Sequence, residues 1–223
     1  MKKKLFYLLI VIFISFKAIS LEVTLTQGTI KPTPIAITDF FSNENKTKKI
    51  GKNISIVISD NLERSGLFLP IDKKSFIQNN ESLSKQIRFE DWKIIKSQYL
   101  LSGSIRLIDS KILVSFKLYD ILSQKILEDL SFKPASEKAW RRISHYISDI
   151  IFQKITGESG YFDSRIVYIA ETGSKENRQK RLAIMDQDGH NHKFLSDGSY
   201  LVLTPRFSPN SQKITYMSYV NRN

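Results

Sequence analysis

Alternation and helical spacing divide this chain into a mixed stretch followed by a β-only stretch. Leu21 to Leu25 alternates and predicts a short strand or a free extended arm, which Gly28, Pro32 and Pro34 then interrupt. Ile35 to Phe40 predicts a buried strand and the polar stretch Ser42 to Lys49 a loop. From Ile50, the positions Ile50, Ile54, Val57, Ile58 and Leu62 fall on one helical face, and Gly66 supplies a left-handed stop. Leu67 to Ile71, broken by Pro70, predicts an edge strand; Ser75 to Ser84 predicts a loop, and Phe89 to Ser97 a short helix with Trp92 and Ile95 inward. Tyr99 to Ile108, the turn Asp109-Ser110 and Lys111 to Tyr119 predict a hairpin. Its second strand has the period-2 pattern of a half-buried strand in Ile112, Val114, Phe116 and Leu118. Lys125 to Phe132 would complete a meander. Ser136 predicts a cap, with Glu137 at the positive end of the dipole. The helix that follows is striped by Trp140, Ile143, Ile147, Ile150, Ile151 and Ile155 and ends at Gly157.

After Gly160 the pattern is all β. Arg165 to Ala170, Arg181 to Met185, His192 to Leu195, Leu201 to Leu203 and Lys213 to Ser218 predict short strands. Asp188-Gly189 predicts a type I′ hairpin turn, and Ser208 to Ser211 a second turn. Mixed elements over about 135 residues predict an α/β or α+β domain, and the short strands that follow predict a sandwich, barrel or propeller.

Charge and composition change the picture at the N-terminus. Lys2, Lys3 and Lys4 precede the apolar run Leu5 to Phe16, whose helix would span about 18 Å, short of the roughly 30 Å hydrocarbon core. Ala18 and Ser20 place small side chains before a cut between Ser20 and Leu21, the layout of a secretory signal peptide. Export with cleavage is thus expected, the other reading being an uncleaved N-terminal anchor completed by neighbouring residues. The formal charge of +12 loses Lys2, Lys3, Lys4 and Lys17 with that segment and becomes +8. The remaining positives, such as Lys46, Lys48, Lys49, Lys52, Arg141 and Arg142, are scattered and lack aromatic interleaving. They favour anionic partners weakly and with salt dependence, not nucleic acid. Zero cysteines exclude thiol nucleophiles, disulfides and cysteine metal sites, and three histidines leave little for triads or zinc cages.

Individual motifs point the same way. His190-x-His192 lacks a third His or Cys nearby, and Asp186-x-Asp188-Gly189 lacks the spacing of a calcium loop, so both read as turn residues. Gly157-Glu158-Ser159-Gly160 follows a helix and continues into Tyr161, so it is a helix cap and not a nucleophile elbow. No phosphate-cradling glycine loop is present, and the sequons at Asn45 and Asn53 are short enough to arise by chance.

Longer stretches resemble the TolB family, the periplasmic component of the Tol–Pal cell-envelope system. Thr204-Pro205-Arg206-Phe207-Ser208-Pro209-Asn210-Ser211-Gln212-Lys213-Ile214-Thr215-Tyr216 resembles its propeller repeat, with Asn210-Ser211 where that pattern has Asp-Gly. Leu182 to Gly189 resembles the preceding strand and hairpin. Pro34 to Phe40, Ser65 to Asp72, Trp92 with Tyr99 to Ile105, and Trp140 to Gly157 with Phe162 and Arg165 resemble its N-terminal domain, in the same order.

The resemblance implies a signal peptide over 1–20, an α/β domain over 21–160 (a mixed sheet with two main helices), and the start of an all-β propeller over 161–223. It implies a non-catalytic adaptor without cofactor or metal. Leu21, Glu22, Val23, Thr24 and Leu25 would form an arm that pairs with a sheet edge of the inner-membrane partner TolA. The propeller mouth would bind the lipoprotein Pal, in support of envelope integrity and division. The family's propeller has six blades, whereas 161–223 supplies about one and a half at roughly 40–45 residues each. The chain is thus expected to be a fragment, a truncated frame or a module with a vestigial tail. Two other classes stay open. One is a freestanding binding module for an anionic envelope polymer. The other is the propeller-bearing fragment of an exported hydrolase, whose catalytic Ser, Asp and His domain would have to lie downstream.

Overall fold

The computed structural model describes residues 31–210 and 213–219. The predicted signal segment, its cut at Ser20 and Leu21, and the arm Leu21 to Leu25 lie outside the described residues. A five-stranded mixed sheet has the order β2-β1-β3-β4-β5. Strand β1 (Thr33–Ile37) runs parallel to β2 (Phe68–Pro70) and to β3 (Tyr99–Ile108). β3, β4 (Lys111–Asp120) and β5 (Lys125–Ser131) form the antiparallel meander. Asp109 and Ser110 both have positive φ, 48° and 62°, the twist that matches a two-residue hairpin.

Alternation along β1 divides the core. Ile35 and Ile37 face helices α1 (Asn45–Arg64) and α4 (Trp140–Thr156), packing with Ile54, Ile58, Leu62, Ile147 and Ile151. Ala36 faces the other way, with Leu100, Ile121, Leu83 and Trp92, under the short helices α2 (Asn80–Lys85) and α3 (Phe89–Ile94). Phe40 is wedged between α1 and β3. A Cβ on Gly51 would stand 2.3 Å from the Phe40 carbonyl oxygen, and one on Gly103 would stand 2.2 Å from its ring.

Three predicted features of this α/β part differ. The loop expected over Ser42 to Lys49 is already helix from Asn45. Its first turn is exposed on lysines and tied down by buried Thr47, whose hydroxyl lies 2.5 Å from that of Ser42, so no apolar stripe announces it. The loop expected over Ser75 to Ser84 contains α2, capped by Asn79, whose side chain accepts from the Ser82 N–H at 2.8 Å. Ser136 makes no side-chain cap: a 3-10 turn over Glu137–Ala139 precedes α4, and Glu137 pairs with Lys46 on α1 at 2.6 Å.

Helix α4 ends at Gly157, φ +80°, as expected. The following segment lies against the helix because Gly160 has no side chain: a Cβ there would meet the Asp149 backbone at 2.4 Å. Asp149 then accepts from the backbone N–H groups of Phe162 (2.6 Å) and Asp163 (3.1 Å), and Phe162 is fully buried beside Phe152. Beyond this anchor, β6 (Arg165–Thr172), β7 (Gln179–Asp186) and β8 (Lys193–Phe194) form an antiparallel sheet. β9 (Leu201–Phe207) and β10 (Ile214–Tyr219) form a second one, with a bulge between Thr215 and Met217. The β7–β8 turn is not type I′: only Gly189 of the pair Asp188-Gly189 has positive φ, and its N–H donates to the Asp186 carbonyl at 2.9 Å. This is a hydrogen-bonded turn with its left-handed residue in last place, as in a three-residue hairpin loop. Among the described residues no helix is long and apolar enough to cross a membrane.

Candidate functional site

The most concentrated polar chemistry among the described residues lies where the β7–β8 turn docks on α1 and α4. Apolar stripes bring Ile58 and Leu62 of α1 against Ile147 and Ile151 of α4, and the polar positions beside them, Asn61, Ser144, His145 and Ser148, become buried with them. Arg141, one turn before His145, reaches the turn. Its Nη2 donates to Asp188 Oδ2 at 2.5 Å and to His190 Nδ1 at 2.6 Å. The Arg141 and Asp188 side chains are only 16% and 6% exposed, so this pair is largely withdrawn from water. Arg142 donates to both oxygens of Asp163 at 3.2 Å, and Gln187 donates to Asn61 Oδ1 at 3.2 Å.

Hydrogen-bond direction at Asn61 fixes the state of His145. Arg64 Nη2 only donates and lies 2.7 Å from Asn61 Oδ1, so that atom is the oxygen. The Asn61 amide nitrogen therefore faces Ser148 Oγ (3.0 Å) and His145 Nδ1 (2.9 Å), and donates to both. An Nδ1 that accepts places the proton of neutral His145 on Nε2, which points at Asp188 Oδ2, 3.4 Å away and too far for a good hydrogen bond. Burial pushes the His145 pKa below the ordinary 6.5, and nearby Arg141 adds to this. Asp188, Asp186 and Asp163 pull the other way and lose. Burial also pushes the Asp188 carboxyl up, but the His190 N–H, at 3.1 Å, and Arg141 outweigh it and hold the group below 3.8.

Single ligand atoms of His145, Asp186 and Asp188 lie within 4.8 Å of one another, a spacing that could hold a cation. Their partners oppose one. Arg141 occupies Asp188 Oδ2, and Asn191 Nδ2 donates to Asp186 Oδ2 at 2.5 Å. A metal on His145 Nε2 would move the ring proton to Nδ1, against the Asn61 amide hydrogens, whereas metal-bound histidines offer that proton to an acceptor. The site is built to hold a turn.

Of the candidate residues that the sequence singles out in the described region, His190 and His192 are both exposed and have different partners: His190 accepts from Arg141, and His192 packs edge-on to Phe194 at 4.6 Å. Asp186 and Asp188 belong to a turn, as expected, but Asp188 also docks that turn on α4. Sequence reasoning missed Asn61, Arg141 and His145. The available signal was a set of polar residues beside the apolar stripes of two long helices.

A separate cavity of about 580 Å³ lies on the sheet face left open by α2 and α3. Ser102, Ser104, Ser115 and Lys117 floor it, and Phe41 and Tyr119 stand among its walls. Lys117 is paired with Asp129 at 3.1 Å.

A mixed sheet carrying two long helices, joined through a docked turn to opening propeller strands, defines a propeller protein with an N-terminal α/β domain. The TolB amino-terminal domain pattern matches residues 21–127, and the TolB β-propeller pattern matches residues 152–223. The Tol-Pal system protein TolB of Paramagnetospirillum magneticum (strain ATCC 700264 / AMB-1) is 51% identical over 199 residues, 89% of this chain and 44% of that protein. The protein of the same name from Pelagibacter ubique (strain HTCC1062) is 46% identical over 218 residues, 93% of this chain and 49% of that protein. The crystal structure of TolB from Acinetobacter baumannii superposes with a TM-score of 0.72 at 27% identity, covering 83% of this chain and 44% of that one. The chain belongs to the TolB family, and it spans about half the length of the curated relatives it matches.

Proposed function

We propose that the chain acts as a non-catalytic adaptor of the Tol–Pal system in the periplasm, reached through a signal peptide cut between Ser20 and Leu21. Residues 21–160 form its α/β domain and 161–223 the opening of its propeller. The arm Leu21, Glu22, Val23, Thr24 and Leu25 pairs as an added strand with an edge of TolA. Backbone hydrogen bonds supply affinity there, and alternate side chains supply specificity. Propeller surface engages Pal, and the bridge supports envelope integrity during constriction.

The observation that carries this reading is the start of the TolB amino-terminal pattern at residue 21, the first residue after the proposed cut. The arm thus falls inside the matched domain. Leu25 precedes the first residue of β1, Thr33, by eight residues and Leu21 precedes it by twelve, so full extension would put the near end of the arm at most about 29 Å, and its tip at most about 43 Å, from the sheet. The test compares TolA binding by chains that begin at Leu21 and at Thr26. The shorter chain is expected to lose binding and keep its melting temperature. Retained binding by the shorter chain would sink the adaptor reading.

A further inference from the structure

His145 joins three parts of the fold. Its ring sits on α4, accepts from Asn61 of α1, and points its Nε2–H at Asp188 of the β7–β8 turn. The same Asn61 accepts from Gln187 of that turn, so one amide ties both helices and the turn together. The contact at Nδ1 is matched to a neutral ring, because the Asn61 amide donates there, whereas Asp188 faces an Nε2–H that is present in either state.

A second proton on the ring goes to Nδ1, and Nδ1–H would face the Asn61 amide nitrogen at a hydrogen-bond distance with donors on both sides. Asn61 has no escape by flipping. Its oxygen is engaged by Arg64 Nη2 and Gln187 Nε2, so a flipped amide would set NH2 against those two donors. His145 is only 2% exposed and cannot turn into water in place. The conflict is relieved when the turn lets go: Gln187 then leaves the Asn61 oxygen, and exposed Arg64 is the one remaining donor that has to swing aside for the amide to flip.

We propose that the joint is a proton-sensitive latch: it is closed while His145 is neutral, and proton uptake at His145 releases the Asp186 to His190 turn from α1 and α4. The latch is independent of the arm and of TolA.

The charged and titratable groups around the ring set the direction of the response. Arg141 and Asp149 face it from α4, Arg64 stands behind Asn61 on α1, Asp186 and Asp188 face it from the turn, His190 of the turn stands on the far side of Arg141, and Asp163 faces it from the linker. The carboxylates would welcome a proton. Burial and Arg141 outweigh them and hold the ring's pKa below 6.5. With the pKa lowered in the closed state, the full stability of the latch is present above about pH 6.5 and is lost as pH falls towards the lowered value. Neighbouring carboxylates do not mimic this. Asp188 is held below 3.8 and loses its contribution only in stronger acid, whereas burial raises Asp149, whose protonation has the opposite sign.

The test is a titration of the histidine rings of the full chain by long-range proton–nitrogen NMR between pH 8 and pH 5, with amide exchange of residues 187–190 followed in parallel. The latch predicts a neutral Nε2–H ring at pH 7 and a midpoint below that of a free histidine. Exchange in the turn should rise several-fold over the same interval, beyond its intrinsic pH dependence, while the β3–β4 hairpin stays protected. In His145→Gln that extra rise disappears, and in His190→Gln it remains. An Nδ1–H ring, a ring already charged at pH 7, or the same exchange response in His145→Gln overturns the proposal. Should His145→Gln not fold, the tautomer, the midpoint and the turn exchange of the unsubstituted chain still decide it.

Discussion

Replacing Arg141 by Met removes the guanidinium that holds the turn and leaves the aliphatic stem. The Asp188 carboxylate, 6% exposed, then keeps the His190 N–H at 3.1 Å as its one good hydrogen bond, with His145 Nε2 at 3.4 Å and His190 Nδ1 at 3.5 Å poorly placed. Stripping one partner from a buried pair costs about 3–5 kcal/mol. The lower figure applies here, because Arg141 is itself 16% exposed and the Asp188 carboxylate retains one backbone donor. In a unit of this size about 3 kcal/mol lowers the melting temperature by roughly 6–12 °C. The loss is also pH-dependent. Without Arg141 one cation that opposes protonation of His145 is gone, and Asp188 Oδ2 is free to attract the ring proton, so the His145 pKa rises. The deficit of Arg141→Met against the unsubstituted chain is therefore larger at pH 8 than at pH 6. Melting by circular dichroism at the two values reads both effects. A drop of less than about 2 °C at pH 8 would mean that the pair behaves as a surface ion pair, and a deficit that grows on acidification would refute the assigned roles of Arg141 and His145.

Other substitutions test the parts that position this joint. Gly103→Ala puts a methyl 2.2 Å from the Phe40 ring, which is 2% exposed and backed by Gly51. An overpacking cost of about 1–3 kcal/mol is expected in urea unfolding, and an unchanged midpoint would contradict the wedge. Asp149→Ala leaves the N–H groups of Phe162 and Asp163 without their charged acceptor. It should cost about 2–3 kcal/mol and expose the 157–163 segment to proteolysis, and an unchanged cleavage rate would show that Asp149 does not anchor the linker.

Much of the frame was legible because its signals are local. The β3–β4 hairpin follows from Ile112, Val114, Phe116 and Leu118 alternating after Asp109-Ser110, and α4 follows from its isoleucine stripe and Gly157. The start of α1 was not legible: Lys46, Lys48 and Lys49 point to solvent, and the anchor is a hydroxyl, Thr47 on Ser42. α2 has one buried apolar residue, Leu83, too little for a periodic signal. The joint was hidden for another reason. Asn61 and His145 are 84 residues apart and Asn61 and Gln187 are 126 apart, so each was read alone. His145 read as one of few histidines and Asp188 as a turn residue. Their meaning lies in hydrogen-bond directions that exist only once two helices and a turn have packed.

The measurement that bears most directly on the adaptor role is competition by a free peptide. A synthetic peptide of residues 21–28 is titrated into a preformed complex of the chain with TolA while the bound fraction is followed. Full displacement is expected, with Val23→Asp in the peptide abolishing it, because an added strand carries its own recognition. If the chain stays bound at saturating peptide, the arm is not the TolA-binding element and the adaptor role fails at its centre.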